Sequence, residues 1–263
     1  MIERVAAGVV LAAVIAFAAR ATRTLSTSGA IAAMIVGAAS VASGWSWGTL
    51  LLAFFISSSA LSRIGIDIKR RRTSTIVENG GERDAVQVLA NGGVFAMAAL
   101  GAVIMPSDGW LALAGGSLAA ATADTWATEI GTLAGRRPRL ITTWRAVPTA
   151  TSGAVTGIGT LGMVLGSAFL ALCMLAVGWP RSVVLPAFVG GIVGALADSV
   201  AGATVQGRRR CASCDALTER AVHSCGTPTV HAGGISWMDN DVVNVLCTMI
   251  GAASALAAMR ALE

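Results

Sequence analysis

The sequence predicts an all-α polytopic membrane protein with about eight transmembrane helices. Hydrophobic residues make up 55% of the 263-residue chain and charged residues 13%, and the mean hydropathy is +0.72. This composition is far from that of a soluble domain. The apolar residues cluster in stretches near the roughly 20 residues that a helix needs to cross the hydrocarbon layer. The stretches are residues 2–19, 26–42, 45–62, 85–104, 110–134, 153–178, 182–206 and 239–259.

Basic residues are concentrated in alternate connections between these stretches. Of the 19 Lys and Arg residues, 16 lie in four connections, and only Arg4, Arg181 and Arg260 lie on the other side. The positive-inside rule then places the four connections in the cytoplasm and both termini outside. The net charge of +5 is explained by this topology and by contact with anionic lipid or phosphate, so no nucleic acid is expected as a partner. The four connections are residues 20–25, 63–84, 135–152 and 207–238.

The whole chain, residues 1–263, is expected to form a single membrane domain. Its first stretch is short and ends in small residues, so a cleaved signal peptide is an alternative interpretation that would leave seven spans. The 31 glycines and the many alanines favour close contact between helices in lipid. The loop 207–238 is inserted between spans seven and eight.

Spans five and seven contain a short parallel repeat that includes an acidic residue in each. The two segments align without gaps at an offset of 74 residues, and both run from outside to inside. A carboxylate inside a membrane costs several kcal/mol, so such residues normally pair or line a wet cavity. The aligned pairs are Gly116 with Gly190, Ala123 with Ala197, Asp124 with Asp198, Thr125 with Ser199, and Ala127 with Ala201.

Two interpretations of this acidic pair remain open. Asp124 and Asp198 either form hydrogen bonds with neighbouring Ser or Thr side chains within packed helices, or form a two-carboxylate magnesium site for a phosphate ligand. Glu129 is a third candidate for the magnesium site. It follows Asp124 by five residues and therefore points elsewhere, unless the helix loosens near Gly131.

Spans four and eight start from the cytoplasm, and each carries a pair of amide side chains at about the membrane depth of the acids in spans five and seven. The two members of each pair are four residues apart and share a helix face. Asp239 and Asp241 precede the second pair, and either one is a candidate N-cap. Four spans thus converge polar side chains in the cytoplasmic third of the membrane, which indicates one site. The amide pairs are Gln87 with Asn91 and Asn240 with Asn244.

The connection after span five has the composition of a phosphate-binding loop. Arginine offers a forked donor geometry for phosphate oxygens, although a topology signal on anionic lipid is the alternative for any one of them. Thr151 or Ser152 is expected to cap span six, whose N-terminal amides would form an anion site. Arg83, beside the amides of span four, is a stronger ligand candidate than the run 69–72. The arginines of the connection are Arg136, Arg137, Arg139 and Arg145.

The loop 207–238 contains the pattern CxxC-x8-HxC, formed by Cys211, Cys214, His223 and Cys225. Four soft ligands at this spacing predict a small structural zinc site, with a redox role and the absence of a metal as alternatives. The remaining candidates are weaker: His231 is a spare ligand, Cys173 and Cys247 are interpreted as packing residues, and for Glu219 a solvated acid is favoured over a ligand-binding role. The chain has two histidines, no tyrosine, and neither the P-loop lysine motif nor HExxH, so nucleophilic or histidine-based catalysis has little support.

Several segments together resemble the integral-membrane family that includes plant phytyl-phosphate kinase, and more distantly the CTP-dependent polyprenol kinases and CDP-lipid synthases. The order of the segments, which cover nearly the whole chain, is more specific than any one of them. The segments are TSGAIAAMIVG, GGERDAVQVLANG, ADTWATEIGTLAGRRPRLITTWRAVPTATSGAVTGIG, ADSVAGATVQG, CASC…TERAVHSCG and WMDNDVVN.

The resemblance implies a membrane kinase that transfers the terminal phosphoryl group of CTP, or of another nucleoside triphosphate, to an isoprenoid monophosphate such as phytyl or geranylgeranyl phosphate. Asp124, Glu129 and Asp198 would then hold Mg²⁺ and orient the triphosphate, while the span interior would take the prenyl tail. Phosphoryl transfer depends on metal ions, arginines and positioning, which suits a site without histidine. The substrate and nucleotide ligands implied are Arg83, Gln87, Asn91, Thr125, Arg136, Arg137, Arg139, Ser199, Asn240 and Asn244.

Three other functions remain open at this point. A lipid cytidylyltransferase would use CTP, release pyrophosphate and leave a CDP-lipid. A secondary transporter of a phosphorylated or anionic substrate would also contain repeated helices with intramembrane acids. A zinc-bearing membrane protein without catalysis is the third. Membrane lipids are expected partners in every case, and the oligomeric state is left open, a homo-oligomer included.

Overall fold

The computed structural model describes residues 2–73 and 81–263, with the side chains of Ile2 and Arg4 left aside. Within these residues it contains nine helices. Eight of them follow the predicted apolar stretches, and the short α4 lies in the second basic connection. The helices are α1 Ile2–Ala21, α2 Thr27–Ser43, α3 Trp45–Arg63, α4 Ile66–Thr73, α5 Ala85–Ile104, α6 Asp108–Ala134, α7 Gly157–Ala176, α8 Arg181–Thr204 and α9 Asn240–Leu262.

The all-α membrane class is confirmed, whereas the number of crossings remains a prediction. In the described part of the chain, five helices are both long and apolar enough to cross a membrane: α3, α5, α7, α8 and α9. The apolar segments of α1 and α2, Val5–Ala21 and Thr27–Ser43, are shorter. Helix α6 is long but polar in its second half, because it carries Asp124, Glu129 and several threonines.

Helix α6 is the central helix of the bundle, which explains why its low hydropathy is tolerated. It packs against α5, α7, α8 and α9, and its residues 114–123 are all buried. A helix surrounded by other helices does not need an apolar surface for lipid. The polar side chains of α6 therefore face protein or a cavity.

The repeated segments of α6 and α8 pack against the same atom of α9. A Cβ atom at Gly116 would lie 2.3 Å from the carbonyl oxygen of Gly251, and a Cβ atom at Gly190 would lie 2.4 Å from it. Neither position tolerates a side chain at this separation, which is the close backbone approach that small residues allow between helices in lipid. Gly116 and Gly190, paired in the sequence repeat, thus have equivalent positions in the fold.

The basic connections contact one another at one end of the bundle, here called the basic face. Ser26 donates a backbone hydrogen bond to the carbonyl oxygen of Arg83 at 2.9 Å. The Arg63 guanidinium donates to the carbonyl oxygen of Thr22 at 2.8 Å, and Arg72 donates to two carbonyl oxygens at the end of α6 at 2.8 Å each. The Ser152 hydroxyl donates to the Glu219 carboxylate and so connects the third and fourth connections. The described parts of the four connections therefore lie on one side of the bundle, as the charge pattern predicts.

Short strands cover part of the basic face. Strands β1 (Arg139–Leu140) and β2 (Ala154–Val155) pair antiparallel. Strands β3, β4 and β5 form an antiparallel sheet in the order β4-β3-β5. The last three strands span Arg208–Cys211, Leu217–Thr218 and Thr229–Gly233.

The start of α7 differs from the prediction. The stretch that begins at residue 153 first forms β2, and the helix begins at Gly157 after the N-cap Thr156, whose hydroxyl accepts from the Gly159 amide at 3.0 Å. The prediction that Thr151 or Ser152 caps this helix is therefore wrong. Thr151 and Ser152 lie in a turn before β2, in which the Ala154 amide donates to the carbonyl oxygen of Thr151 at 3.1 Å, and the strand separates them from the start of the helix.

Candidate functional site

A cavity of about 430 Å³ opens at the basic face between α6, α7, α8 and the start of α9. Among the described residues, five carboxylates line it, and Arg136 is the one basic residue in its lining. We call it the acidic cavity. Its carboxylates belong to Asp124, Asp198, Glu219, Asp239 and Asp241.

Asp124 and Asp198 are adjacent at the inner end of the acidic cavity. Their carboxyl groups lie within hydrogen-bonding reach of each other. The Oδ2 atom of Asp198 and the Oδ1 atom of Asp241 are buried and have no hydrogen-bond partner among the described residues. Adjacent acids with buried, unpaired oxygen atoms are expected to attract a cation or a proton.

Glu219 reaches the acidic cavity from the loop between α8 and α9. Its carboxylate accepts hydrogen bonds from the Ser152 hydroxyl and, at 3.0 Å, from the Gln206 side-chain amide. It also lies close enough to Asp198 to act on it electrostatically. The sequence favours a solvated acid at Glu219 over a ligand, because no local pattern indicates that the loop folds back onto the helices.

The two acids at the start of α9, Asp239 and Asp241, have different roles. Asp239 is the N-cap, and its carboxylate accepts from the Val242 amide at 3.0 Å. Asp241 is left to face the acidic cavity, together with Asn240. Asn244 does not line either cavity described here.

A second, apolar cavity of about 190 Å³ lies between α1, α2, α3 and α5. We call it the apolar cavity. Its walls are mainly Gly, Ala, Val, Leu, Ile and aromatic side chains, and its polar lining includes Arg83, Gln87, Asn91 and Thr125. Gln87 lines both cavities. The acidic and the apolar cavities therefore adjoin at this side chain.

The guanidinium of Arg83 is held by two serines at the polar end of the apolar cavity. It donates to the hydroxyls of Ser59 at 3.3 Å and Ser62 at 3.2 Å. Burial lowers the pKa of the Arg83 guanidinium, and the neighbouring Glu129 carboxylate partly opposes this shift. Because arginine stays protonated in proteins, a partly desolvated guanidinium at this position is a favourable contact for an anion.

The structure does not bring all predicted ligands to the cavities. The Glu129 carboxylate lies outside both and accepts from Lys69 Nζ and Ser62 Oγ at 2.5 Å each. Arg137 and Arg139 are exposed and line neither cavity, and Arg139 donates to the carbonyl oxygen of Trp144 at 2.7 Å. Ser199 does line the acidic cavity, beside Asp198.

The four residues of the CxxC-x8-HxC pattern come together on the loop 207–238. One potential ligand atom from each of Cys211, Cys214, His223 and Cys225 lies within 4.8 Å of all the others. Hydrogen bonds with Thr227 and His223 lower the pKa of the Cys225 thiol to about 5. A hydrogen bond with Cys225 is the main reason that the pKa of Cys214 rises to about 11.

Comparison with known proteins places the chain in a family of membrane proteins. A family model described as integral membrane protein DUF92 matches residues 10–252. The match covers most of the chain, so the protein belongs to this family, and the resemblance drawn from its motifs is confirmed.

Three relatives show the extent of the likeness. Protein PGR of Arabidopsis thaliana is 32% identical over 92% of this chain and 91% of its own length. An uncharacterized membrane protein of Methanocaldococcus jannaschii is 36% identical over 76% of this chain and 82% of its own length. The chloroplastic protein VTE6 of Arabidopsis thaliana is 28% identical over 88% of this chain and 64% of its own length. No solved structure matches the chain.

Proposed function

We propose that the protein is a membrane kinase that transfers the terminal phosphoryl group of CTP, or of another nucleoside triphosphate, to an isoprenoid monophosphate. The observation that carries this proposal is the junction of the two cavities at Gln87. A substrate with a phosphate head and a hydrocarbon tail fits a polar cavity that adjoins an apolar one. Family membership supports the same substrate class.

The charge of the acidic cavity supports a role for divalent cations. A nucleoside triphosphate carries several negative charges and would be repelled by five carboxylates opposed by one arginine, unless cations lie between them. Asp124, Asp198 and Asp241 would hold Mg²⁺, since carboxylate oxygens are its preferred protein ligands and two of their oxygens are buried without partners in the described structure. Bound Mg²⁺ would offset the charge on the transferring phosphoryl group.

The N-terminus of α7 supports binding of phosphate in the same cavity. Thr156, the N-cap, and Gly159 in the first turn both line it. The dipole of a helix N-terminus favours an anion, although the Gly159 amide itself donates to Thr156. Phosphate oxygens would thus lie between the positive end of this dipole and metal-bound carboxylates.

The acceptor would lie with its tail in the apolar cavity and its phosphate near Arg83. The forked guanidinium suits two phosphate oxygens, and the two serines fix its orientation. Because a prenyl chain arrives from lipid that is itself apolar, the cavity contributes little hydrophobic free energy. It would select among tails by shape and length.

The reaction needs no protein nucleophile. An oxygen of the acceptor phosphate forms a bond to the γ-phosphorus of the triphosphate, while the bond between that phosphorus and the β-bridging oxygen breaks. The products are the isoprenoid diphosphate and, from CTP, CDP. The attacking phosphate oxygen is ionised near neutral pH, so a cavity rich in carboxylates suffices without a histidine base.

The proposal is tested with purified, detergent-solubilised protein, Mg²⁺, and phytyl or geranylgeranyl monophosphate. Each of CTP, ATP, GTP and UTP is supplied in turn, and the products are identified by mass spectrometry. Isoprenoid diphosphate together with the nucleoside diphosphate is the expected result. A CDP-lipid with pyrophosphate would indicate a cytidylyltransferase. Flux of anionic substrate into proteoliposomes, without consumption of any nucleotide, would indicate a transporter.

A further inference from the structure

The four-ligand cluster of the loop 207–238 has the dimensions of a tetrahedral zinc site. Zinc–sulfur bonds of about 2.3 Å place two sulfur ligands roughly 3.8 Å apart. The Sγ atoms of Cys211 and Cys225 are 3.6 Å apart, and the Nδ1 atom of His223 is 3.1 Å from the Cys225 sulfur. These two distances are close to those between ligands of a tetrahedral site, and all four ligand atoms lie within 4.8 Å of one another.

The loop has almost no hydrophobic core of its own. Its strands are two to five residues long, and among residues 207–238, all of which the structure describes, five are buried. A unit of this size normally needs a metal or disulfides to hold its shape, and its cysteines are free. The buried residues are Cys211, Thr218, His223, Thr229 and Met238.

The environment of His223 also indicates a metal ligand. Its side chain is 7% exposed. Its Nδ1 atom contacts the Cys225 sulfur and so orients the ring. Nδ1 is therefore the nitrogen that would bind the metal.

We propose that Cys211, Cys214, His223 and Cys225 bind one Zn²⁺, and that the ion fixes the hairpin that presents Glu219 to the acidic cavity. Glu219 then acts as a further carboxylate toward the cations of that cavity. The second half of this inference rests on the proposed function, whereas the first half does not. Three thiolates and an imidazole are ligands typical of structural Zn²⁺.

The β3–β4 hairpin connects the metal cluster to the acidic cavity. Cys211 ends β3, and its amide donates to the carbonyl oxygen of Ala216 at 3.0 Å. Cys214 lies in the turn, and Glu219 directly follows β4. An ion that holds the turn end of the hairpin therefore also holds the other end, where Glu219 meets Ser152 and Gln206.

Metal content tests the zinc site without any assay of activity. The full-length protein is purified in detergent without a metal-affinity step, and its metals are measured by inductively coupled plasma mass spectrometry. One zinc per chain is expected. His223→Gln should weaken zinc at least about 100-fold in competition with a chromophoric chelator, whereas His223→Cys, which supplies a fourth thiolate, should retain it.

Matched substitutions outside the cluster serve as controls. His231→Gln replaces the other histidine, and Cys173→Ser replaces a thiol of α7, so both should keep one zinc per chain. Cobalt(II) added to metal-free protein should give the thiolate and tetrahedral absorption bands. Protein that carries no stoichiometric metal and gives no such bands would overturn the zinc site. So would a disulfide among Cys211, Cys214 and Cys225 in freshly prepared protein.

Binding of Mn²⁺, used as a substitute for Mg²⁺, tests separately whether the zinc ion positions Glu219 at the acidic cavity. Glu219→Gln should weaken Mn²⁺ binding, followed by electron paramagnetic resonance, about tenfold while zinc content stays the same. Removal of zinc by His223→Gln should weaken Mn²⁺ binding by a similar factor. Normal Mn²⁺ binding in the zinc-free protein would overturn the link. Stoichiometric zinc in a protein without kinase activity would instead count against the proposed function.

Discussion

Lys69 and Glu129 form an ion pair that attaches α4 to α6, 60 residues away in the sequence. The Lys69 ammonium lies 2.5 Å from the Glu129 carboxylate, and the two side chains are 9% and 21% exposed. The same ammonium donates to the carbonyl oxygen of Leu61, and Ser62 donates to the second oxygen of Glu129. Both oxygens of Glu129 are therefore engaged in holding the connection that follows α3.

Glu129→Gln should lower stability while leaving activity nearly intact. The substitution removes one charge of a partly buried pair and leaves Lys69 without its counter-ion, which should cost about 1–3 kcal/mol, less than for a fully buried pair. Thermal unfolding in detergent measures the loss, and turnover is measured at a temperature where the variant is folded. A variant that folds normally but loses turnover would place Glu129 in the catalytic site after all.

Asp124→Asn and Asp198→Asn should each lower turnover at least about 1,000-fold, because each removes a negative ligand for the metal ions that phosphoryl transfer requires. Both variants should be at least as stable as the parent protein, since an amide removes the repulsion between two adjacent carboxylates. Turnover and thermal unfolding are measured on the same preparations. Near-normal rates in both variants would contradict the magnesium assignment.

Arg83→Ala should raise the KM for the isoprenoid monophosphate about 10- to 100-fold with little change in the KM for the nucleotide, because charged hydrogen bonds contribute about 1.5–3 kcal/mol. Arg83→Lys should recover part of the loss, since it restores the charge without the forked geometry. Arg137→Ala, which changes an exposed arginine outside both cavities, is the matched control. An equal effect on both KM values would argue against a role of Arg83 specific to the acceptor.

Ala33→Phe should make the protein selective against long prenyl chains. Ala33 lines the apolar cavity, so a phenyl ring would fill part of the space that a tail occupies. A steric misfit in an apolar pocket typically costs about 1–3 kcal/mol of transition-state binding. We therefore expect activity to fall about tenfold or more with a geranylgeranyl chain, and less with the shorter geranyl chain. Ile31→Phe, at an exposed position on the same helix, should change neither. Equal losses with both chains would show that the tail binds elsewhere.

The helices of this protein could be predicted closely because hydropathy and length determine them. Helix α5 occupies the predicted residues 85–104, and the meeting of Asp124 with Asp198 followed from two segments of equal spacing on parallel helices. What the sequence did not reveal depends on contacts distant along the chain. Lys69 reaches Glu129 only because α4 packs against α6. Glu219 reaches the acidic cavity only because it follows the β3–β4 hairpin, whose sequence has no hydrophobic pattern that would predict it.

The amide side chains of α5 and α9 also show that a sequence pattern does not determine contacts between helices. Amides four residues apart share a helix face, but the depth and rotation of that face depend on neighbouring helices. Asn91 therefore lines the apolar cavity, Asn240 the acidic one, and Asn244 neither. Spacing alone could not separate these three outcomes.

The common contact of Gly116 and Gly190 with the carbonyl oxygen of Gly251 has a consequence for the carboxylates further along both helices. Asp124 and Asp198 each follow their glycine by eight residues, or about 12 Å of helix. The contact with α9 thus determines how closely α6 and α8 approach each other. It thereby also determines the distance between the two carboxylates that is available to a cation. Any side chain added at these glycines would widen that gap from a distance, and ligand affinity would change although every ligand was still present.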